Sequence, residues 1–155
     1  MKRVILPIII ITLVGTIIYR TTLRERELVI LSTNDMHATI ENYASFVTAV
    51  NLCRDSVATL LVDAGDRWTG NAFVDLAPEP RKPIIDLMNE LGYNVATFGN
   101  HEFDKGREVL YAMAEASDFE WVCSNMADAE GAGFSPCVTT TLEGVDIVFV
   151  GVVAT

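Results

Sequence analysis

Residues 95–104, Val-Ala-Thr-Phe-Gly-Asn-His-Glu-Phe-Asp, join a short apolar run directly to a polar cluster. The apolar half, Val95–Phe98, predicts a buried strand because its apolar character is nearly continuous rather than alternating. The polar half, Gly99–Asp104, brings an amide, an imidazole and two carboxyl groups close together in the chain. Polar clusters directly after buried strands are typical of ligand sites at the edge of open α/β sheets.

Two further polar clusters follow predicted buried strands upstream. Leu28–Thr33 leads into Asn34-Asp35-Met36-His37, and Thr59–Val62 leads into Asp63-Ala64-Gly65-Asp66. The clusters lie about one strand-helix unit apart, and the carboxyl ends of neighbouring parallel strands meet at one edge of a sheet. We therefore expect all three clusters to meet there.

Helical patterns separate these strands. Apolar spacing predicts helices over 39–53, over 83–91 with Gly92 as its stop, and over 107–117. The other predicted elements are a fourth strand over 120–124 and loops over 70–80 and 131–136. A hairpin is predicted over 138–153, with its turn at Glu143-Gly144, and its last run, Val148–Val153, is predicted to be a buried strand. The alternation predicts the α/β class, a mostly parallel sheet with flanking helices.

Composition narrows the function. The 155 residues fit one domain, and the net charge of −10 without basic runs beyond the N-terminus argues against a nucleic-acid partner. A small anionic substrate remains compatible, because bound metal ions supply positive charge locally. The three cysteines show no C-x-x-C spacing, which excludes a zinc ribbon. Three buried thiols are expected, or one disulfide and a free thiol if the chain is exported.

The N-terminus predicts export. Lys2 and Arg3 precede the apolar run Val4–Tyr19, whose 16 residues would span only about 24 Å as a helix. That is shorter than the roughly 30 Å hydrocarbon core and favours a signal peptide over residues 1–24. The run has no A-x-A cleavage site, so an uncleaved membrane anchor is the alternative. Either one predicts a periplasmic or extracellular protein.

The residue types in the clusters suit divalent metals. Carboxylate and amide oxygens together with imidazole nitrogen bind ions such as Mn, Fe or Zn. Taken singly, D-x-H arises by chance, G-D is an ordinary turn, Asp63 fits a buried polar role, and a histidine is more often part of a core. However, the chain has only two histidines, His37 and His101, and both follow predicted strands. Together the clusters predict a metal site.

The three motifs resemble those of calcineurin-like metallophosphoesterases, whose pattern is D-x-H, G-D and G-N-H-E. Thr33–His37, Asp63–Asp66 and Gly99–Asp104 are most similar to the branch of 5′-nucleotidases and 2′,3′-cyclic-nucleotide phosphodiesterases. The resemblance implies a four-layer α/β/β/α sandwich, of which residues 28–155 would be a truncated N-terminal part. It also implies hydrolysis of phosphate esters, nucleotides above all, by two divalent ions (Mn, Zn, Fe, Co or Mg).

The resemblance also implies a role for each metal ligand. Asp35 and His37 would bind the first ion, Asp66 would bridge both ions, and Asn100 would bind the second. Asn34 and Glu102 would have supporting roles.

A histidine and an aspartate complete the catalytic set that the resemblance implies. His101 would not bind metal. Together with Asn100 it would contact the transferred phosphoryl group, and it would stabilise the charge of that group or protonate the leaving oxygen. Asp104 would orient His101 and favour its charged form.

The sequence departs from the family pattern in two ways. Ala38 replaces a common glycine, and no histidine follows His101, whereas the family completes its site with later histidines. An alternative is therefore a catalytically incomplete fragment with at most weak metal binding, and we expect very low activity from this chain alone. A membrane-anchored interaction protein that keeps the half-site is a third hypothesis, without support in the surface sequence.

Overall fold

The computed structural model describes residues 26–126 and 133–153. The predicted signal peptide or anchor over 1–24 lies outside these residues, as does the start of the predicted loop 131–136. In chain order the elements are β1 (Leu28–Thr33), α1 (Tyr43–Ser56), β2 (Ala58–Asp63), α2 (Ala72–Asp75), α3 (Lys82–Leu91), β3 (Val95–Ala96), a 3₁₀ turn (His101–Phe103), α4 (Arg107–Glu115), β4 (Glu120–Trp121), β5 (Cys137–Leu142) and β6 (Val145–Val150).

The first four strands form one parallel sheet in the order β1-β2-β3-β4. Sequential neighbours joined by helical crossovers confirm the predicted α/β class. All four strands run in the same direction, so the segments after β1, β2 and β3 emerge at one edge. Among the described residues, no helix is long and apolar enough to cross a membrane.

The predicted C-terminal hairpin is confirmed. β5 and β6 pair antiparallel, and Glu143 and Gly144 form the turn with positive φ angles of 51° and 71°. Two backbone contacts connect the hairpin to the strand-4 side of the sheet: a bridge between Val122 and Ser135, and a 2.7 Å hydrogen bond from the Ser124 N–H to the Gly151 carbonyl.

Helix α3 forms where the sequence predicts it. Pro83 lies in its first turn, where a missing N–H is harmless, and Gly92 ends it in the left-handed conformation at φ 71°. The helix buries one apolar face, made of Ile84, Ile85, Met88 and Leu91. These four side chains belong to the hydrophobic core.

Aromatic side chains fill the core beneath that edge. Phe98 stacks on Trp121 with ring centroids 4.7 Å apart and meets Phe134 edge-on at 4.8 Å. Trp68, which is fully buried, lies 6.5 Å from Trp121. The residue before the third motif is therefore fixed from two sides.

Several predicted boundaries were wrong. The first helix begins at Tyr43 rather than at 39, because residues 36–42 form turns, beginning with the hydrogen bond from the Thr39 N–H to the Met36 carbonyl. The predicted loop 70–80 contains α2, whose first turn is capped by the Asn71 side chain. A four-residue helix is too short to show an apolar period.

Three burial predictions were also wrong. Strand β1, predicted to be buried, lies at the edge of the sheet, and its Ile30 is 43% exposed. Val148, Val150 and Val152 are 59%, 63% and 66% exposed, so the run over 148–153 is not a buried strand. The sequence shows apolar character but not whether a second layer covers it, and this face carries none among the described residues. All three cysteines are free, and only Cys123 is buried; Cys53 is half-buried and Cys137 exposed.

A buried ion pair fixes the turn after β2. The side chains of Asp63 and Arg67 are each 1% exposed, and Oδ1 lies 2.6 Å from Nη2. The carboxylate also accepts hydrogen bonds from the Thr33 hydroxyl at 2.6 Å and the Gly65 N–H at 2.9 Å. The guanidinium lies over the Trp121 ring, 4.4 Å from its centroid. Each charge therefore depends on its partner, because neither reaches water.

Asp63→Ala is expected to destabilise the fold by about 3–5 kcal/mol, since it leaves a buried guanidinium without its counter-charge. Urea unfolding measures the change. The matched control is Asp86→Ala, which breaks the exposed pair with Lys82 and should destabilise the fold far less, because water screens that pair. Equal losses in the two variants would contradict the importance of the buried pair.

Candidate metal centre

Backbone hydrogen bonds continue beyond the ends of β1 and β2 and align the first two motifs. The bonds, donor first, are Ala64 to Thr33 at 2.8 Å, Asp35 to Gly65 at 3.0 Å, His37 to Asp66 at 3.0 Å and Ala38 to Arg67 at 2.8 Å. The D-x-H motif therefore lies alongside the G-D motif, as the strand-end argument predicts.

The backbone of both motifs is strained. Asp35, His37 and Asp66 have φ angles of 50°, 45° and 52°, in the left-handed region that L-residues avoid. Each such residue costs about 1–2 kcal/mol, and strain of this kind concentrates at functional sites. Gly65 is required between them: at φ 106°, an added Cβ would lie 2.2 Å from the Gly99 nitrogen.

Glu102 ties the third motif to the second. Its carboxylate is 1% exposed and accepts N–H bonds from Asp66 at 2.9 Å, Arg67 at 3.1 Å and Gly99 at 2.5 Å. Three N–H donors satisfy the acceptor oxygens of this buried carboxylate. The predicted supporting role of Glu102 therefore has a definite form: it holds two strand-end turns together.

Three potential ligands converge at this edge. His37, Asp66 and His101 each offer one ligand atom, and these atoms lie within 4.8 Å of one another. The two imidazole rings meet edge to face with centroids 5.0 Å apart. His37 Nδ1 lies 3.1 Å from the Thr69 carbonyl, which can only accept, so Nδ1 carries the proton and Nε2 keeps its lone pair for a ligand. The donor set fits a divalent transition metal.

The other predicted ligands lie beside this cluster. Asp35 is exposed and its Oδ2 accepts a 2.6 Å hydrogen bond from the Asn34 amide. Asn100 is exposed directly before the 3₁₀ turn that carries His101. The structure thus brings His37 and Asp66 together with His101, the residue that the family resemblance assigns to the phosphoryl group. The roles of Asp35 and Asn100 stay predictions.

His101 is held on three sides. Its N–H donates to Asp66 Oδ1 at 2.9 Å, its carbonyl accepts from Trp68 Nε1 at 3.0 Å, and its Nδ1 lies 2.8 Å from Asp104 Oδ2. The hydrogen bond to Asp104 raises the pKa of His101, and the same bond lowers the pKa of Asp104. With Nδ1 engaged, Nε2 is the nitrogen left for a ligand or a substrate.

Sequence reasoning missed the buried layer under the cluster. Arg67 and Trp68 are 1% and 0% exposed and support Asp63 and His101, respectively. Their position in the sequence could have predicted this layer, because both residues directly follow Asp66. A turn that leaves a buried strand tends to bury its large side chains, and a buried arginine requires a charged or hydrogen-bonding partner.

A parallel α/β sheet that brings D-x-H, G-D and G-N-H-E together at one edge defines a phosphoesterase of the calcineurin-like class. Residues 28–147 match the calcineurin-like phosphoesterase family. The chain belongs to that family, whose members are hydrolases.

Individual relatives agree with this assignment. The chain is 41% identical over 87 residues to the trifunctional nucleotide phosphoesterase protein YfkN of Bacillus subtilis, covering 54% of this chain and 6% of that protein. It is 32% identical over 142 residues to the 2′,3′-cyclic-nucleotide 2′-phosphodiesterase/3′-nucleotidase of Haemophilus influenzae, covering 77% and 22%. The chain therefore spans less than a quarter of the length of these relatives.

A solved structure shows the same fold. The 5′-nucleotidase precursor from Thermus thermophilus superposes with a TM-score of 0.70 at 24% identity, covering 80% of this chain and 28% of that one.

Asp104→Asn is expected to lower the pKa of His101 toward its ordinary value of 6.5, because the carboxylate that favours the imidazolium is lost. A ¹⁵N NMR titration of the imidazoles measures the change. Asp86→Asn removes an equal charge from an exposed position on α3 and should leave the midpoint of His101 unchanged. An unchanged titration midpoint of His101 in Asp104→Asn would contradict the coupling between His101 and Asp104.

The pair also predicts a pH window for stability. The raised pKa of His101 stabilises the fold fully below pH 6.5, and this contribution is lost as the pH rises through the raised value. The lowered pKa of Asp104 stabilises it fully above pH 3.8, with loss as the pH falls through the lowered value. Between pH 3.8 and pH 6.5, the free energy of unfolding of the wild type should exceed that of Asp104→Asn by the largest amount. Urea unfolding at a series of pH values measures this difference.

Proposed function

We propose that the site hydrolyses phosphate esters with the help of divalent metal ions, and that the substrates are nucleotides. The observation that carries this proposal is the convergence of His37, Asp66 and His101 within 4.8 Å, with Asp104 bonded to His101. The names of the relatives, a nucleotide phosphoesterase and a cyclic-nucleotide phosphodiesterase/3′-nucleotidase, support the nucleotide class.

Four residues are proposed to hold the ions. Asp35 and His37 would hold the first ion, Asp66 would be shared by the two ions, and Asn100 would hold the second. When bound, a pair of ions of this kind (Mn, Zn, Fe, Co or Mg) lowers the pKa of a bound water and neutralises charge on the phosphoryl oxygens. Asp66 suits the bridging position, because it lies between the other two motifs and its backbone is fixed by Glu102.

His101 is proposed to act on the substrate directly. A water oxygen forms the new bond to phosphorus and releases a proton to solvent while the ester P–O bond breaks. The leaving oxygen takes the proton of His101 Nε2, which solvent then restores. Asp104 keeps Nδ1 protonated and the ring in place, and raises the fraction of His101 that carries the second proton.

A second candidate is a catalytically incomplete half-site. Among the described residues, His37 and Asp66 are the proposed ligands whose atoms lie within 4.8 Å of each other and of His101, and the sequence has no histidine after His101. On this proposal the chain by itself binds one ion weakly at His37 and Asp66 and releases phosphate very slowly.

The location of the protein is also a proposal. Residues 1–24 carry the charged start and apolar run of an export segment. We propose that they direct the site to the periplasm or the exterior, with the membrane as a partner if the segment is retained.

Asp66→Asn is expected to weaken Zn²⁺ or Mn²⁺ binding by more than the roughly 10–100-fold that loss of an outer-shell partner causes, because a ligand charge is lost. Calorimetric titration of the full chain measures affinity, and phosphate release from nucleoside monophosphates measures turnover. Asp86→Asn is the matched control and should bind like wild type.

The outcomes separate the two candidates. Metal-dependent turnover abolished by Asp66→Asn supports the hydrolase and contradicts the incomplete half-site. Weak binding of one ion with almost no turnover supports the half-site for this chain. Binding that is unchanged by Asp66→Asn contradicts the metal centre itself.

A further inference from the structure

The peptide group that joins Thr69 to Gly70 is held between a histidine and a carboxylate. Its carbonyl accepts a hydrogen bond from His37 Nδ1 at 3.1 Å, and its N–H donates to Asp75 Oδ2 at 2.9 Å. The peptide is trans, so its C=O and N–H groups point in opposite directions. A carboxylate that fixes the N–H therefore also fixes the direction in which the carbonyl faces His37.

Further contacts hold the same peptide against the metal centre. Gly70, at φ 140°, packs on the backbone of His37, where an added Cβ would lie 3.0 Å from the His37 carbonyl oxygen. Thr69 has a φ angle of 74°, which is unfavourable for a β-branched residue, and its hydroxyl accepts a 3.1 Å hydrogen bond from Nη1 of the buried Arg81. Strained backbone of this kind beside a candidate site indicates a local requirement for the arrangement.

The Asp75 side chain is directed at this peptide. Asp75 is the last residue of α2, so the short helix carries the carboxylate to Gly70. Its other oxygen, Oδ1, is buried and has no hydrogen-bond partner within the described part of the chain. A buried acceptor without a partner is unfavourable. A carboxylate in this position is thus a poor means of stabilising a loop, which favours a role for its effect on the peptide.

The carboxylate acts on His37 through the peptide. A peptide whose N–H donates to a charged acceptor is polarised, which strengthens the hydrogen bond that its carbonyl accepts. A stronger acceptor opposite His37 Nδ1 keeps the proton on that nitrogen and leaves the Nε2 lone pair for a ligand. Carboxylates often contact a metal-binding histidine directly, whereas here one peptide group lies between them.

We propose that Asp75 is a positioning residue for His37: through the Thr69–Gly70 peptide it fixes the Nδ1–H tautomer and the ring orientation that present Nε2 to a divalent metal. The consequence for metal affinity rests on the role proposed for His37 as a ligand. The structural consequence, the tautomer of His37 in the metal-free chain, does not depend on the proposed function.

The first measurement is long-range ¹H–¹⁵N NMR of the imidazoles in the full chain, without metal and at alkaline pH, where both rings are neutral. The sequence contains two histidines, so His101→Gln assigns the signals by elimination. His37 of the wild type is expected in the Nδ1–H form. In Asp75→Ala the ratio of Nδ1–H to Nε2–H should fall about tenfold, the effect of about one net hydrogen bond. Asp75→Asn, which keeps an acceptor oxygen without the charge, should lie between the two.

The second measurement is calorimetric titration of the same variants with Zn²⁺. Asp75→Ala is expected to bind about tenfold more weakly than the wild type, the lower end of the range for outer-shell partners, because a peptide separates it from the ligand. Asp86→Ala is the matched control, since it makes the same substitution at an exposed position of α3. It should leave both the His37 tautomer and the Zn²⁺ affinity unchanged.

Asp75→Leu keeps the test decisive if Asp75→Ala does not fold, because leucine has nearly the shape of aspartate and no acceptor. A wild-type His37 in the Nε2–H form, an unchanged tautomer in a folded Asp75 variant, or an equal change in Asp86→Ala would overturn the proposal. Unchanged Zn²⁺ affinity in that variant, where the wild type binds, would overturn it as well. If the tautomer changes but the wild type binds no Zn²⁺, the proposed function fails while the positioning of His37 stands.

Discussion

The site depends on the hydrogen bonds that the Glu102 carboxylate accepts. This carboxylate accepts N–H groups from the turns after β2 and β3, and in doing so it joins two segments that are 36 positions apart in the chain. The close approach that follows leaves no room for a side chain at Gly65 or Gly99, where an added Cβ would lie 2.2 Å from its neighbour. The hydrogen bond from the His101 N–H to Asp66 Oδ1 joins the same two turns a second time.

Below the carboxylate, buried charge and aromatic rings make the edge of the sheet rigid. Arg67 balances Asp63 and lies over Trp121, while Trp68 bonds the His101 carbonyl. Above it, the backbone of the D-x-H and G-D motifs is held in the left-handed region. The buried layer is rigid and supports the strained turns above it. The polar side chains of the three motifs are therefore oriented toward one place before any ligand binds.

Much of this arrangement is present in the sequence. Continuous apolar runs predicted the parallel strands. Their spacing predicted that His37 and Asp66 meet, because consecutive parallel strands that pair side by side end at the same edge of the sheet. The short helix α2 and the exposure of Val148 were not predictable in the same way. A four-residue helix has no period, and the burial of a strand depends on a covering layer that the strand itself does not encode.

The central claim is that the three strand ends form one metal centre. Anomalous diffraction at the zinc edge, from crystals of the chain grown with Zn²⁺, tests it most directly. The predicted result is a peak about 2.0–2.2 Å from a nitrogen of His37 and an oxygen of Asp66, the usual zinc distances for these ligands. Zinc peaks elsewhere on the chain, with none between His37 and Asp66 at saturating Zn²⁺, would contradict it.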